Sequence, residues 1–164
     1  MLGLALTATL PLAAQESKDS HSAGITASDK VSAQDLGLPL YPGARRDRQS
    51  SDDNSSAFQL GLWGRDSGFK LVVLKLVSDD SADKVAAFYR QALAQYGKVL
   101  DCSDKAAHAK SKRALSCDSD EPRPGEMVLK AGTREKQHTV GIQPESGHTR
   151  FQLVYLEQRG DDNK

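Results

Sequence analysis

Cys102 and Cys117 are the residues whose chemistry is easiest to name from type and spacing. Each lies in a similar short run, Val-Leu-Asp-Cys-Ser at 99–103 and Ala-Leu-Ser-Cys-Asp at 114–118. Two such runs can pair as neighbouring strands and bring the thiols together. Closing a loop of this size stabilises by about 3 kcal/mol in the chain-entropy model, a large share of a small domain's total. The expected bond is a structural disulfide, since a redox pair more usually reads Cys-x-x-Cys.

Other reactive residue types are present without the spacing that chemistry needs. His21, His108, His138 and His148 are scattered, and neither His-Glu-x-x-His nor paired Cys-x-x-Cys occurs, so no metal is expected. Ser146 lies in Pro-Glu-Ser-Gly-His and lacks the Gly-x-Ser-x-Gly elbow of a hydrolase nucleophile. No Gly-rich phosphate cradle occurs, and the many Asp and Glu residues offer no preferred pair. No catalytic residue and no cofactor is therefore assigned. Candidate contact residues are of two kinds. Lys110, Lys112 and Arg113, with Lys105 and His108, make the loop between the cysteines basic and suit an anionic or acidic partner. Trp63, with Val72, Leu74 and Leu76, could form an apolar sheet face that holds a ligand or partner. If the chain leaves that face uncovered, a homodimer through it is expected.

The elements that position these residues begin after an apolar leader. Met1–Ala14, MLGLALTATLPLAA, is uncharged and ends in small residues, the pattern of a secretory signal peptide. The expected mature chain starts near Gln15 and is periplasmic or secreted. Beyond the leader the longest aliphatic run is Leu71–Leu74, far short of the roughly 20 residues of a membrane-spanning helix. The 22 basic and 22 acidic residues cancel, which gives no pull toward nucleic acid.

Residues 15–35 are polar and Ser-rich and read as a disordered tether. A single domain is expected over 36–159, with 160–164 fraying. Within it, Leu38, Leu40 and Tyr41 anchor a loop whose Pro42-Gly43 suits a type II turn. Phe58, Leu60 and Leu62 alternate with Gln59, Gly61 and Trp63 in a half-buried strand, with the first set expected to face the helix. Phe69–Val77 is apolar on both faces and reads as a central strand. Val85, Phe88, Tyr89, Ala92, Leu93 and Tyr96 recur at helical spacing, with Asp80 or Ser81 to cap the start and Gly97 to stop the end. Strands follow at 98–102, 113–117, 127–131, 138–143 and 149–158, the last two joined about Pro144–Gly147. The predicted fold is α+β: a predominantly antiparallel sheet of five to six strands, one long amphipathic helix on one face, in the order β-β-α-β-β-β-β.

Two of these segments carry a resemblance. Leu38–Ala44, of the form Leu-Pro-x-Tyr-Pro-Gly-Ala, and Val85–Leu93, of the form Val-x-x-Phe-Tyr-x-x-x-Leu, resemble a type found among exported bacterial α+β proteins of uncharacterised function. The resemblance covers 36–100, implies a secreted or periplasmic α+β domain and brings no catalytic residues. The expected role is a non-catalytic module that binds a protein or small molecule at the bacterial envelope. The alternative is a small extracytoplasmic hydrolase.

Overall fold

A computed structural model describes residues 24–48, 56–65, 67–108, 114–118 and 120–160. In chain order the elements are β1 (Gly24–Ser28), α1 (Ala33–Leu36), β2 (Arg45–Arg46), β3 (Ala57–Trp63), β4 (Gly68–Ser78), α2 (Ala82–Leu93), β5 (Leu100–Asp101), β6 (Met127–Gly132), β7 (Lys136–Glu145) and β8 (His148–Arg159). The eight strands make one α+β sheet in the order β1-β3-β4-β8-β7-β6-β5, with β2 beside the far end of β4. Every pairing is antiparallel among the described residues.

One face of the sheet carries the core. Cross-strand pairs point their side chains to the same side. Val72, Leu74 and Leu76 of β4 therefore lie beside Tyr155, Leu153 and Phe151 of β8. The last two continue into Val140 and Ile142 of β7. The apolar stripe of α2, Val85, Ala86, Tyr89 and Leu93, closes over this surface. The helix runs on as a 3-10 turn, Ala94–Tyr96, and stops at Gly97, whose φ of 117° favours glycine. Its start differs from expectation: Ser81 makes no side-chain cap, and Asp80 instead accepts from Tyr41 Oη at 2.9 Å and Lys84 Nζ at 2.9 Å. Tyr41 is the hinge of the core's rim, with its ring 5.1 Å from Phe88 and 6.1 Å from Phe151. The turn beneath it is as expected, with Gly43 at φ 75° and the Ala44 N–H donating to Tyr41 O. Leu38 is buried as an anchor, whereas Leu40 projects into solvent.

Three expectations are corrected. The sheet has eight strands where five to six were predicted, β1 and the short β2 being the additions. The described part of the expected tether at 15–35 is structured: β1 pairs with β3 from Gly24↔Trp63 to Ser28↔Gln59, and α1 follows it, while 15–23 lie outside the described residues. The helix α1 holds a capping box, with Asp35 N–H donating to Ser32 Oγ and Ser32 N–H to Asp35 Oδ2. Val31 before it, Leu36 at its end and Leu38 after it are buried. Finally, the two cysteine runs do not pair with each other. β5 pairs with β6 instead, while the Cys117 N–H donates to Ala107 O. The expected leader at 1–14, His21 and residues 161–164 of the tail expected to fray lie outside the described residues.

Candidate interaction surface

The side of the sheet away from α1 and α2 carries rows of apolar side chains that neither helix covers. Its rows follow from the strand register. Phe58 of β3 lies beside Val73 and Val154, Leu60 beside Leu71 and Leu156, and Leu62 beside Phe69 and Gln158. Phe58 and Leu62 are 39% and 40% exposed, and the other apolar members are half-buried. Such a surface in water forgoes the roughly 25 cal/mol per Å² that burial of apolar area returns.

This reverses the predicted facing of β3. Ala57 pairs with Leu74 and Gln59 with Val72, so the small residues of β3, Ala57 and Gly61, turn toward the core and its larger ones turn away. Val72, Leu74 and Leu76 are 0%, 1% and 3% exposed and belong to the core, not to a docking surface. Trp63 is on the core side as well, at its open end. Its ring lies across Gly61 and Gly68, where a Cβ on Gly68 would fall 2.6 Å from Trp63 Cε3. Lys110, Lys112 and Arg113 lie outside the described residues.

The far side of the open face is polar. Asp47, Lys75, Glu126, Gln143, Arg150 and Gln152 border a cleft of about 280 Å³ there, whose lining also includes Met127, Val128, Gly141, Ile142 and Phe151. Arg150 donates to Glu145 at 3.0 Å and faces Asp47 at 3.4 Å. At β6 the face is walled by the segment after Cys117. Lys130, buried on this side, donates to Asp120 Oδ2 at 2.6 Å and Ser116 O at 3.3 Å. The Cys102–Cys117 disulfide, with Cα atoms 5.4 Å apart, ties that wall to the start of the excursion that builds it. Around the corner, Arg45, Arg46, Arg48 and Arg150 border a hollow of about 390 Å³ with Asp47, Asp79 and His148. Arg45 there is held by both oxygens of Asp79, at 3.1 and 3.0 Å.

Four titratable groups displaced from their ordinary values lie elsewhere: Tyr89 in the core, and His138, Tyr155 and Glu157 together on β7 and β8. Burial raises the Tyr89 hydroxyl above the usual tyrosine range inside the core. Burial likewise lowers His138, whose ring stacks on Tyr96 at 3.7 Å and whose Nδ1–H donates to Leu36 O at 2.9 Å. Burial and the hydrogen bond to Glu157 push Tyr155 up to about 12. Burial alone would raise the Glu157 carboxyl. Hydrogen bonds from Tyr155 and Arg159, with the charges of Lys136 and Arg159, outweigh it and hold Glu157 below its ordinary value.

The histidines stay apart. His148 pairs with Glu145 and His138 with Tyr155, so the hairpin turn is Ser146-Gly147, two residues tighter than the predicted register. His148 Nε2 lies 3.0 Å from Glu145 Oε2, and His108 Nε2 lies 2.6 Å from Cys102 O. Among the described residues, no three of His, Cys, Asp and Glu gather to hold a metal ion. No described helix is long and apolar enough to cross a membrane. The open face escaped sequence reading because β4 is apolar on both sides. The helpful signal was the small pair Ala57 and Gly61, which leaves room for packing only on their own side of β3. Comparison of the chain with protein-family models, with curated proteins and with solved structures finds no match.

Proposed function

We propose that this chain is an exported, non-catalytic binding module that docks its partner on the open face of the sheet. The carrying observation is that face itself: three consecutive rows across β3, β4 and β8 that are apolar but for Gln158, Phe58 and Leu62 the most exposed apolar members, on the side that neither helix covers. Contiguous apolar surface of this kind marks interaction sites in folded proteins. The displaced titratable groups support the same reading: Tyr89 is buried in the core, His138, Tyr155 and Glu157 hydrogen-bond within the fold, and none of the four lines the cleft or the hollow described above. Export rests on the Met1–Ala14 leader and is consistent with the Cys102–Cys117 disulfide. The resemblance of Leu38–Ala44 and Val85–Leu93 to exported bacterial proteins of uncharacterised function points the same way.

Two measurements test the two halves. At sub-micromolar concentration the folded chain should bind an apolar dye such as anilinonaphthalene sulfonate, and Phe58→Lys with Leu62→Lys should abolish the signal while leaving the circular dichroism unchanged. Dye binding that survives both substitutions overturns the assignment of the face. A reporter enzyme that matures only outside the cytoplasm, fused after Lys164, should become active. An expressed but inactive fusion overturns export.

A further inference from the structure

We infer that the partner on the open face is a second copy of this chain, so that the protein is a two-fold dimer closed sheet against sheet. This rests on the docking reading above and names the occupant. The first support is self-complementarity. A two-fold axis lying between the sheets and over the central row sets Leu60, Leu71 and Leu156 against their own copies. Neither that row nor its two neighbours brings a charge from β3, β4 or β8, so no like charges are forced together. The first cation, Lys75, lies one row beyond the apolar rows and belongs to the rim.

Area gives the second support. β3, β4 and β8 run side by side for seven rows, and β1 and β7 flank them for five rows each. At about 3.3 Å per residue and 4.8 Å per strand that footprint is about 490 Å² per copy, and the pair comes to the roughly 1,000 Å² at which a specific interface begins. Charge gives the third: with 22 basic and 22 acidic residues, two copies meet without net repulsion. In the dimer each sheet is covered on both faces, by its own helices on one side and by its copy, about 10 Å away, on the other.

Sedimentation equilibrium of the full chain, from sub-micromolar to millimolar, tests this with two variants. The wild type should reach twice its 17.7 kDa, with dye binding falling as the dimer forms. Leu62→Glu should weaken association at least about 30-fold, the size of a central hot-spot loss. Leu40→Glu, exposed but off this face, should associate like the wild type. A wild type monomeric throughout overturns the dimer. If that monomer binds dye and loses it with Leu62→Glu, the docking surface stands and its occupant is another molecule. If it binds none, the docking reading falls too. A dimer indifferent to Leu62→Glu places the interface elsewhere and also overturns the inference.

Discussion

The guanidinium of Arg159 sits over the indole of Trp63, 5.4 Å from the ring centroid, with Gly68 between them in the register of the sheet. The ring needs that glycine as its floor, and Arg159 is held in place by Glu157 Oε1, 3.0 Å from its Nε. A cation over an aromatic face contributes about 0.5–1 kcal/mol when exposed, so the geometry depends mainly on the floor.

Gly68→Ala should lift the indole off the sheet, since the added Cβ would come within 2.6 Å of Trp63 Cε3. The expected loss is about 1–3 kcal/mol, as for other overpacking changes. Trp63 is the single tryptophan, so its emission reports this site alone. A red-shifted emission with a lowered melting temperature is the expected outcome. Gly160→Ala, in open space, should change neither.

Stability should fall as the solution is acidified below about pH 6.5. His138 is neutral in the fold because burial lowers its pKa, and its Nδ1–H is committed to Leu36 O. In the unfolded chain it takes up a proton near its ordinary value of 6.5. Its stabilising contribution is therefore complete above that value and is lost as pH falls through the lower folded-state value. Denaturation midpoints taken from pH 7 down to 5 should decline, and His138→Gln should flatten the decline. The His138 ring signal in NMR should titrate below 6.5.

Much of the architecture follows from period and turn chemistry. The α2 stripe, the β3–β4 and β7–β8 hairpins and the Tyr41–Ala44 turn were legible because each has a local cause: spacing at 3.6, alternation, or a glycine at positive φ. The disulfide was legible from residue type. What escaped reading is set by long-range pairing. Gly24–Ser28 has no alternating apolar pattern of its own and becomes a strand because β3 offers it an edge. The box Ser32-x-x-Asp35 was readable as a capping signal and marks where α1 starts. The facing of β3 depends on which side of β4 the helix takes, and an all-apolar β4 does not reveal it.

Replacing both cysteines with alanine should cost about 3 kcal/mol in urea denaturation, from the freed loop. The effect should be confined to stability. Cys102 and Cys117 belong to the excursion beside β6, while β3, β4 and β8 pair without it.

Asp120→Ala should destabilise more than Lys130→Met. Removing the carboxylate leaves a buried ammonium with the Ser116 carbonyl as its remaining acceptor among these two contacts, at a cost of about 1–3 kcal/mol. Removing the ammonium leaves Asp120, which is a quarter exposed and can take water in its place. Denaturation midpoints of the two variants, compared in one buffer, decide the order.

The pairing of β1 with β3 also fixes where this domain can be cut. Trimming to Leu36, where the loop anchors begin, would strip β1 from β3 and bare the outer edge of β3 along Gln59–Trp63. A bare strand edge next to Phe58 and Leu62 is a template for intermolecular ladders. An expression clone that starts at 36 should therefore precipitate, and a protease that nicks ahead of Gly24 should leave a protein that stays in solution.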